Sequence, residues 1–216
     1  MALAAALVLS YLIGAFPSSV VYGRVFRGID VRMHGSGNPG ATNAWRVLGW
    51  RLGLAVLVTD VAKGVAATAA IPRIPFPLGA LPVDLPTAAV LCGVVAVVGH
   101  VFPVYIGFRG GKGVATAAGV LVGLLPIPAA IAVGVFAVAV TTSGWVSLGS
   151  LLGAWAVPVA TLLHPGSAAY PPLVLALTGL LALFITYTHR ANIRRLLDGT
   201  ERSFPRLQFW RRRIRK

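Results

Sequence analysis

The chain has 216 residues, of which 57% are hydrophobic and 11% are charged, and its mean hydropathy is +0.83. A soluble domain typically has about 45–50% apolar and about 25% charged residues. The composition therefore excludes an ordinary soluble domain and indicates one polytopic helical membrane domain. The net charge of +14 does not indicate nucleic-acid binding, because the basic residues lie between apolar segments and in the C-terminal tail. The single cysteine, Cys92, excludes an intrachain disulfide and a cysteine metal cluster.

The N-terminal segment 1–17 is apolar, and the first arginine after it is Arg24. A secretory signal peptide begins with a basic region, which this segment lacks. We therefore expect a first transmembrane helix whose N-terminus lies outside the cytoplasm.

Apolar segments with polar, proline or glycine borders predict seven transmembrane helices. They cover residues 3–23, 51–71, 86–104, 114–125, 127–142, 147–163 and 172–188. One long helix over 114–142 is the alternative to the fourth and fifth segments, but Pro126 and Pro128 favour a break.

The basic residues predict the orientation of these helices. The loop 24–50 carries four arginines, the loop 105–113 carries Arg109 and Lys112, and the tail is rich in arginine, whereas the segments 72–85 and 164–171 carry only Arg73. Seven helices place every basic loop and the C-terminus on the cytoplasmic face, whereas six helices do not. We expect a single membrane domain over 1–203 and a basic cytoplasmic tail over 204–216 that attracts anionic lipid.

The first polar motif follows the first apolar segment and reads Gly35-Ser36-Gly37-Asn38-Pro39-Gly40-Ala41-Thr42-Asn43-Ala44. Glycines allow backbone N–H groups to converge on an anion, and the polar side chains add donors. The motif predicts a phosphate-bearing ligand at a membrane surface. Its glycine spacing matches the dinucleotide fingerprint, but the strand that this fingerprint requires is missing. The alternative is a simple turn with a helix cap at Ser36 or Asn38.

The second motif contains His100 and the loop Gly107-Phe108-Arg109-Gly110-Gly111-Lys112-Gly113. It resembles a Walker loop, but Ile106 and Gly113 replace residues that nucleotide hydrolysis requires. Two cations on a glycine-rich loop suit phosphate binding. The alternatives are membrane-surface anchoring for the two cations and simple packing for His100.

The third motif runs from His189 to Glu201. If the last helix continues to about Leu197, His189 and Asn192 share one face. The alternative is a basic amphipathic helix on anionic lipid, with Glu201 paired to a nearby arginine.

A fourth feature is the presence of Asp60 and Lys63 inside the second apolar segment. Ionisable residues in such a segment are usually paired. Their i,i+3 spacing predicts an internal ion pair with a structural role.

Together, the three motifs resemble the bacterial acyl-phosphate:glycerol-3-phosphate acyltransferases, the PlsY family. The resemblance rests on Gly35-Ser36-Gly37-Asn38-x-Gly40-Ala41-Thr42-Asn43, on Gly99-His100-x-Phe102-Pro103 with Gly110-Gly111-Lys112-Gly113, and on His189-Arg190-x-Asn192-Ile193-x-Arg195-Leu196 with Gly199-x-Glu201. It implies a seven-helix enzyme of the bacterial inner membrane. The implied reaction transfers a fatty acyl group from acyl phosphate to the 1-hydroxyl of glycerol 3-phosphate, giving lysophosphatidic acid and phosphate in phospholipid synthesis.

The resemblance also implies site residues. Catalytic roles fall to Ser36, Lys112, His189 and Asn192. Substrate binding falls to Gly37, Asn38, Gly40, Thr42, Asn43, Arg46, His100, Arg109, Gly110, Gly111 and Gly113. Glu201 matches a motif glutamate that holds the loops together. The family uses no metal and no cofactor, and an acyl-phosphate-forming enzyme is a further expected partner.

The histidines can be compared with those of the soluble-type glycerolipid acyltransferases, which pair a histidine with an aspartate five positions later. Such a pair is absent at each histidine of this chain, namely His34, His100, His164 and His189. Because an acyl phosphate is already activated, we expect binding and charge stabilisation to dominate, with the departing phosphate accepting the proton. The competing hypotheses are a transporter for a small phosphate-bearing anion and a non-catalytic membrane scaffold.

Overall fold

The protein is described here by a computed structural model, which covers residues 1–77, 79–164 and 170–204. Throughout these ranges the regular structure is helical, which confirms the predicted all-helical class. The chain forms two compact units, Met1–Leu124 and Leu125–Lys216. The segment 205–216, which holds nearly all of the predicted basic tail, lies outside the described residues.

The first unit contains six α-helices. They are α1 (Ala2–Ala15), α2 (Ser18–Arg27), α3 (Ala41–Leu48), α4 (Trp50–Val65), α5 (Leu85–Val101) and α6 (Val114–Leu124). A π-helical turn at Ala66–Ala70 and a 3-10 turn at Ile71–Arg73 extend α4. The resulting apolar helix runs for 24 residues from Trp50 to Arg73.

Glycines set the close helix packing of the first unit. A Cβ on Gly14 of α1 would overlap the backbone of Ala96 on α5. A Cβ on Gly119 of α6 would overlap the Val61 carbonyl and lie 3.1 Å from the Cα of Gly64 on α4. Small residues of this kind let helix backbones approach in a membrane, where van der Waals packing drives association.

The first apolar segment differs from the single helix predicted over 3–23. Helices α1 and α2 are separated by Phe16 and Pro17 and are bent by 42°. Proline has no N–H and disfavours helical backbone in the preceding residue, and Phe16 accordingly has φ −54° and ψ 116°. The break exposes the Phe16 carbonyl to a side chain, as described below.

The second unit contains α7 (Pro126–Ser143), α8 (Val146–Leu163), α9 (Pro172–Thr188) and α10 (Arg190–Leu197). Helix α6 ends at Leu124 and α7 begins at Pro126, which confirms the predicted break. Helices α7 and α8 form a hairpin whose turn contains Gly144 in the left-handed conformation, at φ 79°. Helix α9 packs on α8, where the indole of Trp155 donates to Thr186 Oγ1 at 3.1 Å.

The last apolar segment does not continue as one helix to Leu197. Helices α9 and α10 are bent by 62° at His189. The His189 N–H bonds to the carbonyls of Ile185 and Thr186, and its Nδ1 competes for the Ile185 carbonyl at 2.8 Å. This local competition ends α9 without a proline or glycine.

The described helices provide four spans by length and composition: Trp50–Arg73, Leu85–Ile106, Pro126–Ser143 and Val146–Leu163. The count is six if each bent pair is one span. Helix α6 is apolar but has only 11 residues. A count of seven therefore stays a prediction.

The glycine packing between α4 and α6 predicts that Gly119→Ala destabilises the protein by about 1–3 kcal/mol, because the added methyl overpacks a backbone contact. The matched control is Gly179→Ala in α9, where an added Cβ meets nothing within 4 Å. Thermal unfolding in detergent should show a lower midpoint for Gly119→Ala only. Equal midpoints for both variants would contradict the close approach of α4 and α6.

Candidate active site

The first motif forms a loop shaped by glycine conformation and by one buried amide. Gly35 and Gly37 have φ of 63° and 73°, a left-handed conformation that glycine adopts without strain. Ser36 lies exposed between them. The buried Asn43 side chain accepts from the Ser36 N–H at 2.8 Å and donates to the carbonyls of Val31 and His34, each at 3.0 Å. Asn43 therefore holds the loop in shape, a role that the sequence analysis does not assign.

Several backbone amides of this loop already form hydrogen bonds within the loop. The Ser36 N–H bonds to Asn43 Oδ1, the Gly37 N–H to the His34 carbonyl and the Gly40 N–H to the Asn38 carbonyl. These donors are satisfied within the loop.

Helix α3 follows the loop and carries the next predicted residues. It begins at Ala41 with Gly40 as its N-cap and without a side-chain cap bond. The alternative cap at Ser36 or Asn38 is therefore wrong, because Ser36 lies inside the turn at 3.5 Å from the Asn38 N–H. Thr42 and Arg46 are half-buried on α3.

An ion cluster that sequence reasoning missed anchors this region. Asp30 accepts two hydrogen bonds from Arg32, at 3.0 and 2.7 Å, and one from Arg24 at 3.0 Å. Arg32 also donates to the Ile106 carbonyl at 3.2 Å, which ties the first motif to the second. The hydrogen bond from Arg32 holds the pKa of Asp30 well below its ordinary value against the opposing effect of partial burial.

The second motif folds back on the C-terminal end of α5. The Gly110 N–H bonds to the Val101 carbonyl at 3.0 Å and the Gly111 N–H to the His100 carbonyl at 3.2 Å. A Cβ on Gly111 would overlap His100 Nε2. The amides of Gly110 and Gly111 therefore cap α5, and the lack of a side chain at both positions permits close packing. Substrate binding by these two glycines stays a prediction.

The remaining residues of this loop are more accessible. Arg109 is exposed and Lys112 is half-buried. Gly113 has φ 83° and precedes the first residue of α6. Phe108 has φ 60°, a rare conformation for a bulky residue that is often found at functional sites.

A buried polar network lies beneath the second loop. Lys63 Nζ is 2.7 Å from Asp60 Oδ1, which is the ion pair that the i,i+3 spacing predicts. Ser18 donates to the same carboxylate oxygen at 2.7 Å. Lys63 also reaches His100 Nδ1 at 3.3 Å, and Thr116 Oγ1 lies 3.1 Å from that nitrogen.

The network borders a narrow crevice in the first unit. Its free space is about 10 Å³, which is about the room that one water requires. The lining brings together the first loop, the helix break and the second loop: Phe16, Pro17, Ser18, Pro39, Asp60, His100, Gly110 and Gly111. In this conformation the crevice is too small for a phosphate ester.

The third motif forms its own cluster in the second unit. The His189 ring is buried, and Nδ1 donates to the Ile185 carbonyl because a carbonyl only accepts. Asn192 is also buried, and its Nδ2 donates to Glu201 Oε1 at 2.6 Å. Arg195 Nε donates to Glu201 Oε2 at 2.7 Å. Burial acts to raise the pKa of Glu201, but the bonds from Asn192 and Arg195 hold it below its ordinary value.

The chain is similar in sequence to a known protein family. A family model described as glycerol-3-phosphate acyltransferase matches residues 4–199. A glycerol-3-phosphate acyltransferase of Chlorobaculum parvum is 45% identical, covering 96% of this chain and 97% of the relative. One from Chlorobaculum tepidum is 44% identical with the same coverage.

Two solved structures are also similar. A crystal structure of PlsY, an integral membrane glycerol 3-phosphate acyltransferase, in its glycerol 3-phosphate form has a TM-score of 0.81 at 32% identity, covering 96% of this chain and 98% of that chain. The lysophosphatidic acid form gives a TM-score of 0.79 at 31% identity.

The Glu201 cluster predicts a pH-dependent loss of stability. At neutral pH, Glu201→Gln should lower the free energy of unfolding by about 1–3 kcal/mol, because charge-assisted hydrogen bonds are lost. Because the folded pKa is depressed, the stabilisation is present above the unfolded value of about 4.3 and is lost as pH falls through the folded pKa. The difference between wild type and Glu201→Gln should therefore shrink in acid.

The matched control for this measurement is Asp198→Asn, at an exposed carboxylate in the same segment. Denaturant unfolding in detergent at neutral and acidic pH measures both variants. A Glu201→Gln deficit that stays constant across that range would contradict the role of the carboxylate charge.

Proposed function

The chain belongs to the glycerol-3-phosphate acyltransferase family, and from this premise we propose that it moves a fatty acyl group from an acyl phosphate to the 1-hydroxyl of glycerol 3-phosphate. The products are lysophosphatidic acid and inorganic phosphate, at an early step of phospholipid synthesis. The observation that carries the proposal is the nearly full-length similarity to an enzyme solved in glycerol 3-phosphate and lysophosphatidic acid forms.

The acyl-phosphate donor is supported by the absence from the sequence of a histidine followed five positions later by aspartate. In the proposed step the 1-hydroxyl oxygen bonds to the acyl carbonyl carbon, and the bond from that carbon to the phosphate oxygen breaks. The departing phosphate takes the hydroxyl proton. The mixed anhydride supplies the driving force, so a protein nucleophile is unnecessary.

Side chains, rather than loop amides, are proposed to recognise the phosphates. Arg46 and Lys112 bring positive charge, and the exposed Ser36 hydroxyl brings a donor. Charge-assisted hydrogen bonds to phosphate are roughly twice as strong as neutral ones. Thr42, Asn38 and Arg109 are additional proposed contacts.

Catalysis on an activated donor rests on orientation and charge stabilisation. Correct orientation can supply about 7–11 kcal/mol, and one preorganised donor about 2.7–4 kcal/mol. His189 and Asn192 are proposed to contribute catalytic contacts. Glu201 fixes the Asn192 amide at 2.6 Å, which lowers the cost of orienting it during the reaction.

The protein is a multi-pass helical membrane protein, and we propose seven spans with the N-terminus outside and the motif loops on the cytoplasmic face of the inner membrane. The short α6 counts as one span in this topology, because the basic loops then share one face. The single domain over 1–203 and the lipid-attracting tail over 204–216 are part of the same proposal. An enzyme that forms acyl phosphate is the proposed partner.

The proposed topology predicts from which side of the membrane an impermeant reagent can label an engineered thiol. In a Cys92→Ala background, Arg27→Cys should react with an impermeant maleimide only from the cytoplasmic side, and Ala80→Cys only from outside. Both positions are exposed in the structure. Labelling of both thiols from one side would reject seven spans in this orientation.

The reaction is tested with purified protein, acyl phosphate and glycerol 3-phosphate, by following phosphate release. Release should require glycerol 3-phosphate and should produce lysophosphatidic acid without added metal. Absence of release by folded protein would reject the proposed donor. Uptake of glycerol 3-phosphate by liposomes containing the protein would then favour a transporter.

Variants in the same assay test the proposed phosphate contacts. Lys112→Ala and Arg46→Ala should each raise the KM for glycerol 3-phosphate at least tenfold, because a hydrogen bond to a charged group contributes about 1.5–3 kcal/mol. Ser36→Ala should lower kcat. The control is Arg27→Ala, at an exposed position outside these contacts. Equal loss of detergent stability and activity in the Lys112 and Arg46 variants would indicate a folding role instead.

A further inference from the structure

Three polar groups surround the Lys63 ammonium. Its Nζ lies 2.7 Å from Asp60 Oδ1, 2.9 Å from the Phe16 carbonyl oxygen and 3.3 Å from His100 Nδ1. An ammonium has three donors and no acceptor. Its hydrogen-bonding capacity therefore matches the three groups that face it, provided that His100 Nδ1 is unprotonated.

The other contacts of His100 Nδ1 do not oppose this assignment. Thr116 Oγ1 lies 3.1 Å away, and a hydroxyl either donates or accepts. Asp60 Oδ1 lies 3.8 Å away, which is too long for a hydrogen bond. The ammonium is thus the neighbour that decides the tautomer. A neutral imidazole whose Nδ1 accepts carries its proton on Nε2.

We propose that Lys63 and Asp60 are positioning residues that fix His100 as the neutral tautomer with its proton on Nε2. This proton is directed at the loop 110–113, which carries the proposed phosphate contact Lys112. The direction follows from Gly111, where an added Cβ would overlap His100 Nε2. His100 is then a hydrogen-bond donor beside this loop and not a general base. This inference rests on the proposed function for its link to phosphate, whereas the tautomer itself does not.

The surroundings of Lys63 are buried and polar. Asp60 and Lys63 are 1% and 5% exposed, respectively. Ser18 donates to the carboxylate of Asp60. At the break, the Phe16 carbonyl accepts from the Ser18 N–H at 3.0 Å and from Lys63 Nζ at 2.9 Å. The proline that bends the first span therefore supplies one of the three acceptors of Lys63. A buried pair with this many additional bonds is a rigid support for His100.

His189 provides the opposite tautomer in the same chain. Its Nδ1 donates to the Ile185 carbonyl at 2.8 Å. The two histidines should therefore give distinguishable ring nitrogen spectra. His189 serves as an internal reference for a ring protonated on Nδ1.

The tautomer is measured by nuclear magnetic resonance on the full chain, with 15N-labelled histidine, in detergent micelles near neutral pH. Loss of one signal set in His100→Gln assigns the residue. We expect wild-type His100 to show an unprotonated Nδ1 and a protonated Nε2. A protonated Nδ1 on His100 would overturn the proposal.

Lys63→Met removes the deciding donor, and Nδ1–H can then donate to Thr116. Because this change leaves a buried carboxylate unpaired, the double variant Asp60→Asn/Lys63→Met is measured beside it. Both should move a detectable fraction of His100 to the Nδ1–H tautomer. An unchanged tautomer in the folded double variant would overturn the assignment to Lys63.

Thr116→Val should retain the wild-type tautomer, because the ammonium still faces Nδ1. Its matched control is Thr68→Val, at a buried hydroxyl that bonds to carbonyls of its own helix. A switch of the His100 tautomer in Thr116→Val, without a switch in Thr68→Val, would show that Thr116 determines the tautomer. That result would overturn the role of Lys63.

Measuring phosphate release by these variants tests the positioning role separately from the proposed reaction. In the double variant, kcat for phosphate release should fall about tenfold, the size expected for loss of one hydrogen bond to a charged group, while Thr68→Val keeps the wild-type rate. A tautomer switch with unchanged kcat would overturn the positioning role. A wild-type enzyme with the expected tautomer but without release would reject the proposed function and leave the tautomer assignment intact.

Discussion

Asp60 and Lys63 place opposite charges 2.7 Å apart inside an apolar helix, and the first unit is organised around them. Removing charges from water costs several kcal/mol per ion, so such a pair is stable only with additional hydrogen bonds. Those bonds come from Ser18 on α2, from the Phe16 carbonyl at the helix break and from His100 on α5. The break that Pro17 causes between α1 and α2 therefore provides an acceptor for this buried pair, and the same pair holds His100 in place.

The glycines of the two loops serve two different physical purposes. Gly35 and Gly37 provide positive φ angles around Ser36, whereas Gly110 and Gly111 permit the chain to lie against His100. The amides of Gly37, Gly110 and Gly111 bond to protein oxygens. A glycine-rich sequence thus indicates close approach of the backbone without specifying its partner. For Gly37, Gly110 and Gly111 the partner is a carbonyl of the protein itself.

The sequence predicted the helical class, the apolar segments and the break at Pro126, because hydrophobicity and proline act locally. Pro17 carries the same signal as Pro126, but the apolar run across it favoured one helix. The bend at His189 depends on a side chain competing for the Ile185 carbonyl, which residue type alone does not reveal. The Arg32 contact with the Ile106 carbonyl and the Lys63 contact with Phe16 join residues far apart in the chain, so local patterns could not predict them.

The proposed tautomer of His100 fits a reaction in which this residue is not the base. A general base requires an unprotonated nitrogen near the reacting hydroxyl and an orienting group on the other nitrogen. His100 has its Nδ1 beside an ammonium, so the nitrogen that faces the loop is a donor. His189 is oriented by a carbonyl instead of a carboxylate, which supports an imidazolium less strongly than the aspartate of a triad does. A donor such as the Nε2–H of His100 stabilises negative charge on a bound phosphate. This role fits the proposed mechanism, in which the departing phosphate takes the proton.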